Sequence, residues 1–385
     1  MKYVSPRERL YAVACAGMFV FGMILGLPGT VLGQSETVAQ FGLTLADRGL
    51  LISTMFAGLL IGSLLSGPLV DTMGQRAALV VSSSLVALCL PLLAFASNAI
   101  VAASALLALG TASASINTAS NAISSELFSD ERARRMNGIA IMVGLGGLAM
   151  PTATVLAEEL VSWRAVVVGG GVLSAVVAIL GLRLVDIPRL EASERTGSIA
   201  ALRQFSKQPG FAWFLLLVLL AGGNEASMAG WTSTFVIASG FSALAATSVL
   251  SSHWLGLILS RVFFSGRVDR AKAVAVERSA VLSALTLLVL VVSESPSLVM
   301  IGPFVVGVSM ALVMPTSLAL GAERLQGNPG ALFGVLLTVA QVGGIFLPAS
   351  IGLVAEQTSV RLGLALLVGS FGAIAWIVRR VASHH

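Results

Sequence analysis

Long apolar runs, separated by short clusters of charged and turn-forming residues, fill almost the whole chain. Most of these runs are about 20 residues long, the length of α-helix that crosses the hydrocarbon core of a bilayer. The pattern therefore predicts twelve membrane-spanning helices, over residues 10–33, 48–70, 77–96, 99–124, 137–159, 164–184, 211–237, 243–264, 276–292, 297–320, 331–355 and 359–379.

The longest polar stretch, residues 186–210, lies between the sixth and seventh predicted helices. We interpret this stretch as a linker between a bundle of six helices over residues 1–185 and a second bundle over residues 211–385. The predicted fold class is thus an all-α membrane protein with twelve transmembrane helices in two pseudo-symmetric six-helix bundles.

A repeat between the two halves supports this division. At an offset of 197 or 198 residues, the halves share glycines, a proline, a serine and an aspartate: Gly110 with Gly307, Gly146 with Gly343, Pro151 with Pro348, Ser53 with Ser251, Gly58 with Gly256, and Asp71 with Asp269. Parallel repeats of six helices place a substrate site near the middle of the membrane, between the halves. The repeat therefore favours a transporter over a channel.

Composition narrows the functional classes further. The chain of 385 residues is 56% hydrophobic and only 11% charged, whereas soluble domains carry about 25% charged residues. The net charge of +5 does not indicate nucleic-acid binding, because the basic residues lie in short loops rather than in a patch with aromatic residues. The sequence has no nucleotide-binding loop and no metal-ligand spacing, so we expect that the protein uses no cofactor or metal and is not an enzyme. We also expect a monomer in a lipid bilayer.

The basic residues predict the orientation of the chain. Of the 23 Lys and Arg residues, 20 fall on the side of the predicted helices that carries the N-terminus, and Arg48, Arg164 and Arg361 fall on the other side. Short loops rich in Lys and Arg stay in the cytoplasm. Both termini and the linker are therefore predicted to be cytoplasmic, in a multi-pass protein of the plasma (inner) membrane.

Between the second and third predicted helices, Gly67, Asp71, Gly74 and Arg76 fit the pattern Gly-x-x-x-Asp-x-x-Gly-x-Arg. This segment resembles the loop between the second and third helices of the major facilitator superfamily. The resemblance implies secondary transport by alternating access, and a gating role for these four residues.

A narrower resemblance concerns Asn117 and Asn121 in the fourth predicted helix and Glu225 in the seventh, which look like the fucose/glucose:proton symporter branch. This resemblance implies a sugar substrate and coupling to protons. Fucose-type members have a carboxylate where Asn117 stands and another in the first helix, whereas residues 10–33 contain none. We therefore assign proton coupling to Glu225.

The drug-antiporter branch of the superfamily is the competing resemblance. Residues 147–153 lack the Gly-Pro pair that is usual in the fifth helix of drug antiporters, and this departure disfavours that branch.

Polar side chains at membrane depth give the candidate site, because charged residues inside a membrane are costly and by default functional. Glu225 is predicted to bind the solute and carry a proton, with His253 as its partner in proton coupling and as a second solute ligand. The other predicted solute ligands are Asn117, Asn121, Trp231, Trp254, Gln341 and Gln34. The structural alternatives are hydrogen bonding between helices for the amides, core packing for His253 and Trp254, and an interfacial anchor for Trp231.

Three functional classes are compatible with these features: a sugar:proton symporter, an exporter of drugs or hydrophobic metabolites, and a sensor that does not transport. A single acid among amides favours the symporter. An exporter would have a larger pocket lined with aromatic residues, and a sensor would carry an added signalling domain. We therefore predict secondary active transport of a small polar solute, a sugar, coupled to protons through Glu225, with the proton-driven exporter as the alternative.

Overall fold

The computed structural model of the protein describes residues 5–126, 128, 131–157, 160–184, 203–264, 271–326 and 329–383. Its helices, in chain order, are α1 (Pro6–Leu32), α2 (Ser35–Phe41), α3 (Leu45–Met73), α4 (Gln75–Ala94), α5 (Ala99–Glu126), α6 (Arg132–Ala157), α7 (Trp163–Leu182), α8 (Phe211–Ala238), α9 (Ala243–Phe264), α10 (Lys272–Val292), α11 (Pro296–Met310), α12 (Val313–Arg324), α13 (Pro329–Gln357) and α14 (Val360–Ser383).

Within these described residues, twelve helical spans are long and apolar enough to cross a membrane, with α11 and α12 together forming one of them. The prediction of an all-α protein with twelve spans is therefore confirmed. The short helix α2 was not predicted. Most of the predicted linker over 186–210 and the repeated Asp269 lie outside the described residues.

The chain divides into two compact units. Unit 1 comprises the described residues of Met1–Val31 and Thr54–Ser193, and unit 2 those of Leu32–Ser53 and Glu194–His385. The start of α3 belongs to unit 2 because α13 binds it. A carboxylate oxygen of Glu356 accepts hydrogen bonds from the backbone amides of Leu45, at 2.7 Å, and Ala46, at 3.3 Å, and so caps the first turn of α3.

The start of α6 is tied to the start of α1 by one arginine in unit 1. Arg135 donates to both carboxylate oxygens of Glu8, at 2.8 and 2.5 Å, and its Nε donates to Glu131 at 3.0 Å. The guanidinium also lies over the rings of Tyr11 and Phe128. Only 11% of the arginine side chain is exposed. Such a bidentate pair fixes the relative orientation of the two side chains in addition to attracting them by charge.

Close helix packing in unit 1 depends on glycines from the repeat. A Cβ atom on Gly58 of α3 would overlap the carbonyl of Leu107 in α5, and one on Gly146 of α6 would overlap the carbonyl of Phe19 in α1. Small residues at such points let two helix backbones approach closely. The glycines therefore bring α3 against α5 and α6 against α1.

Unit 2 contains the same contacts at the repeat-related positions. A Cβ on Gly256 of α9 would lie 2.5 Å from the carbonyl oxygen of Phe304 in α11, and one on Gly343 of α13 would overlap the carbonyl of Leu219 in α8. Because Gly256 repeats Gly58 and Gly343 repeats Gly146, the shared glycines of the sequence are the contact points of equivalent helix pairs.

The predicted helix over residues 297–320 is interrupted, since α11 ends at Met310 and α12 begins at Val313. Pro315 has no amide hydrogen, so it cannot donate to the carbonyl of Ala311 four residues earlier. At the offset of 197 residues the first half has Thr118 in place of Pro315, and α5 runs through that point without interruption. The interruption therefore lies at the carbonyl that Pro315 leaves without a helical donor, and the Ala311 carbonyl is available to another donor.

Candidate functional site

An ion pair joins α8 and α9 in unit 2. Glu225 lies near the middle of α8, and Arg261 lies in the last turn of α9. Nη2 of Arg261 donates to Oε1 of Glu225 at 2.7 Å. About a third of each side chain is exposed, 34% for Arg261 and 32% for Glu225.

This partial exposure indicates what surrounds the pair. Charged side chains within membrane spans face the protein interior or a water-filled cavity, because contact of a charge with lipid is costly. Glu225 and Arg261 both belong to helices that are long and apolar enough to span a membrane. The exposed parts of the two side chains are therefore expected to face a water-filled cavity rather than lipid, which would let a polar solute reach them.

Arg261 also contacts the interruption between α11 and α12. Its Nε donates to the carbonyl oxygen of Ala311 at 3.2 Å, the carbonyl that Pro315 leaves without its helical donor. One guanidinium thus joins α8, α9 and the end of α11. The carbonyl end of a helix carries partial negative charge, so a cation is favoured at this position.

His253 of α9 is fully buried, and its hydrogen bond does not involve the ion pair. Its Nδ1 is 3.0 Å from the carbonyl oxygen of Pro303 in α11, and because a carbonyl only accepts, Nδ1 carries the hydrogen. Its Nε2 has no hydrogen-bond partner among the described residues. The structure therefore brings Glu225 together with Arg261, and no hydrogen bond joins His253 to Glu225.

Trp254 and Trp231 are both buried. The indole of Trp254 is 6% exposed and meets the His253 ring edge to face, with the ring centroids 6.4 Å apart. The indole of Trp231 is completely buried, and its Nε1 donates to the carbonyl of Pro348 in α13 at 3.2 Å. The Trp231 indole thus holds α8 against α13. Solute binding by either indole stays a prediction.

Asn117 and Asn121 lie on one face of α5 in unit 1, as their spacing predicts. Nδ2 of Asn121 donates to Oδ1 of Asn117 at 2.8 Å and to its backbone carbonyl at 2.9 Å. Both side chains are half-buried. The two amides therefore form one polar surface in unit 1, and their contact with a solute stays a prediction.

The two predicted glutamines lie at different places in unit 2. Gln341 is half-buried on α13, two residues before Gly343. Gln34 is half-buried between α1 and α2 and immediately precedes α2. The structure therefore places neither glutamine on α8 or α9, the helices that carry the ion pair.

The predicted gating segment forms a tight turn between α3 and α4. Gly74 has a φ of +85°, a conformation that side chains other than glycine rarely adopt. Nε and Nη2 of Arg76 donate to the carbonyls of Gly181 and Leu182 at the end of α7, both at 2.8 Å. Asp71 is exposed, and a Cβ on Gly67 would meet nothing within 4 Å. Arg76 thus caps α7, and the gating role of the segment stays a prediction.

Two polar residues of this region escaped the sequence prediction. Arg261 lies within the predicted span over 243–264, and a basic residue inside an apolar run is the signal that marks it. Asn224 is completely buried, and neither atom of its amide has a hydrogen-bond partner among the described residues. An amide beside Glu225 in an apolar helix was the corresponding signal, since unpaired buried amides are rare.

Comparison with known proteins identifies the family. Residues 14–348 match the family model of the Major Facilitator Superfamily. The chain belongs to the major facilitator superfamily. Its twelve apolar spans and its place in this family make it an integral, multi-pass membrane transporter.

One curated member of known substrate is related in sequence. The chain is 28% identical to the glucose/mannose transporter GlcP of Bacillus subtilis (strain 168) over 171 residues, which is 43% of this chain and 40% of that protein. The match therefore spans less than half the length of either protein.

Solved structures of the superfamily share the fold over the whole chain. The crystal structure of the nucleoside transporter NupG matches with a TM-score of 0.78 and 16% identity, over 98% of this chain and 99% of that one. A bacterial homolog of the human lysosomal transporter Spinster, in an inward-facing and occupied conformation, matches with a TM-score of 0.78 and 13% identity, over 99% and 98% of the two chains. At these identities the likeness establishes the fold alone.

Proposed function

We propose that this protein is a secondary active transporter of a small polar solute, a sugar, and that it works by alternating access. The observation that carries the proposal is the partly exposed ion pair of Glu225 and Arg261, whose members belong to two membrane-spanning helices. A carboxylate accepts hydrogen bonds from hydroxyl groups, so Glu225, held in place by Arg261, complements a polyhydroxylated solute. The sequence similarity to a glucose/mannose transporter supports the same solute class.

Glu225 is also the group that we propose couples transport to protons. A proton on its carboxylate removes the charge that holds Arg261, so the ion pair and the protonated acid are two alternative states. A solute that binds one state better than the other shifts the equilibrium between them. One side chain therefore links solute binding to proton binding.

An uptake screen in proteoliposomes tests the function. The purified protein is presented with a panel of labelled hexoses, with and without an inward proton gradient. We expect saturable uptake of at least one hexose, and accumulation only with the gradient. Failure of every hexose to enter would overturn the sugar assignment. Efflux of a hydrophobic dye that is driven by the same inward proton gradient would favour the exporter instead.

We further propose that the protein lies in the inner membrane with both termini and the 186–210 linker in the cytoplasm. The distribution of 20 of the 23 basic residues supports this orientation. A single cysteine introduced into the linker, in a background without Cys15 and Cys89, should resist an impermeant maleimide in intact cells. Rapid labelling before the cells are opened would reverse the topology.

Asp71, beside the turn between α3 and α4, should affect turnover more than binding. Asp71 is exposed beside the turn and lies on a different helix from Asn117 and from Glu225, so we propose that it gates a conformational step. Asp71→Asn should lower kcat about tenfold or more while KM changes little. Measured initial rates over a range of solute concentrations separate the two parameters, and a proportional loss of affinity would instead indicate a binding role.

A further inference from the structure

Arg261 forms a hydrogen bond with the carbonyl at the interruption between α11 and α12. Ala311 is completely buried, and its carbonyl accepts from Nε of Arg261 while Nη2 of the same guanidinium binds Glu225. These two nitrogens form one edge of a planar fork, whose geometry is rigid. The carbonyl therefore fixes the plane and direction in which the guanidinium reaches the carboxylate.

The repeat shows that this arrangement is particular to unit 2. At the offset that relates Gly58 to Gly256 in the same helices, Arg261 corresponds to Ser63. At the offset that relates Gly110 to Gly307, Pro315 corresponds to Thr118 within the uninterrupted α5. The proline and the arginine thus occur together in one half and are both replaced in the other.

We infer that Arg261 is a positioning residue for Glu225 and that Pro315 makes this possible by freeing the Ala311 carbonyl. The inference rests on the proposed role of Glu225 in solute binding and extends it: at an interrupted helix, the freed carbonyl of buried Ala311 orients Arg261, and Arg261 in turn orients Glu225. In discontinuous transmembrane helices, unwound carbonyls and helix C-terminal ends commonly hold a cation. Here the guanidinium occupies that place.

Two substitutions test the two ends of this device. Pro315→Thr introduces the residue type found at the equivalent position of the first half, Thr118. The new amide can donate to the carbonyl of Ala311, so the helix can continue through this point. Arg261→Lys keeps the charge but removes the planar fork. Each variant should raise KM about tenfold, the order of one charge-assisted hydrogen bond, with a smaller change in kcat. Arg379→Lys is the matched control, because Arg379 forms a 2.7 Å pair with Glu277 in the same unit and should keep wild-type kinetics.

The double variant distinguishes positioning from a general loss of structure. If Pro315 acts through Arg261, the double variant should have the KM of Arg261→Lys alone. A KM raised about a hundredfold, the product of two independent tenfold effects, would overturn the inference. An unchanged KM in Pro315→Thr would overturn it as well.

Thermal unfolding of the wild type, the two single variants Pro315→Thr and Arg261→Lys, and their double variant requires no solute. Pro315→Thr should raise the apparent melting temperature, since it repairs a helix, and should raise it more in the Arg261→Lys background, where no guanidinium bond is lost. Equal gains in both backgrounds would overturn the inference whatever the solute is. Unequal gains, together with failure of every hexose to be transported, would retain the positioning of Glu225 by Arg261 and overturn the sugar assignment alone.

Discussion

Glu225→Gln should abolish the accumulation of solute that a pH gradient drives, while exchange of solute across the membrane continues. Glutamine has nearly the size of glutamate and still bonds hydroxyl groups, but it does not titrate. A gradient of one pH unit corresponds to about 1.4 kcal/mol per proton, which sustains roughly a tenfold concentration ratio with one proton per solute. We therefore expect the ratio of internal to external solute to fall from about ten to about one.

The surface pair of unit 2 provides the control for this variant. Glu277 accepts from Nε of Arg379 at 2.7 Å, the same distance as in the pair of Glu225 and Arg261. Glu277→Gln removes an equivalent carboxylate and should leave accumulation unchanged. If Glu225→Gln proteoliposomes still concentrate solute tenfold, Glu225 is only a binding or structural residue. If both variants lose accumulation equally, the effect is not specific to the site.

Gly343→Ala should strongly destabilise unit 2. The added Cβ would overlap the carbonyl of Leu219, so α8 and α13 would have to separate at the point where their backbones are closest. Overpacking of a tight contact typically costs about 1–3 kcal/mol, and here the obstructing atom is backbone, which cannot rotate away. We expect a lower apparent melting temperature in detergent and a smaller yield of folded protein.

Gly369→Ala in α14 isolates this steric effect. Nothing lies within 4 Å of a Cβ on Gly369, so this variant should gain only helix propensity, about 1 kcal/mol. Both substitutions make the same chemical change within a helix, and the difference between their melting temperatures therefore reports the clash. Equal melting temperatures would show that α8 and α13 are not packed as closely as the structure indicates.

The number and type of the spanning helices followed directly from the sequence. Apolar runs of about 20 residues have one common solution in a membrane, since a helix pairs its own backbone groups. The repeated glycines also indicated equivalent positions in the two halves. Which backbone each glycine meets, such as Leu219 for Gly343, depends on helix pairing and required the structure.

The interruption at Ala311 was harder to predict. Pro28, Pro68, Pro91 and Pro151 all lie inside continuous helices, so a proline in an apolar run does not by itself predict a break. Neighbouring helices and side chains decide whether a helix continues past a proline. At Pro315, the freed carbonyl of Ala311 accepts a hydrogen bond from the guanidinium of Arg261 in the neighbouring helix α9.

The candidate acid was predictable and its partner was not. Glu225 is conspicuous because it lies in the middle of an apolar run, whereas Arg261 lies near the end of one, where basic residues ordinarily extend toward the membrane surface. Only the alignment of α8 with α9 in the structure shows that the side chain of Arg261 reaches Glu225 rather than the membrane surface. Likewise, His253 was predicted as the proton partner on its depth alone, and its ring bonds to Pro303.

The most direct test of proton coupling through Glu225 is to measure proton movement when solute is added. Proteoliposomes with no initial pH gradient are placed in weakly buffered medium, and the external pH is recorded as a transported hexose enters. Wild-type protein and Glu277→Gln should make the medium alkaline on addition of the hexose, whereas Glu225→Gln should carry the hexose inward with no change in external pH. Alkalinisation by Glu225→Gln equal to that of the wild type, or solute entry without any pH change in the wild type, would contradict coupling through this residue.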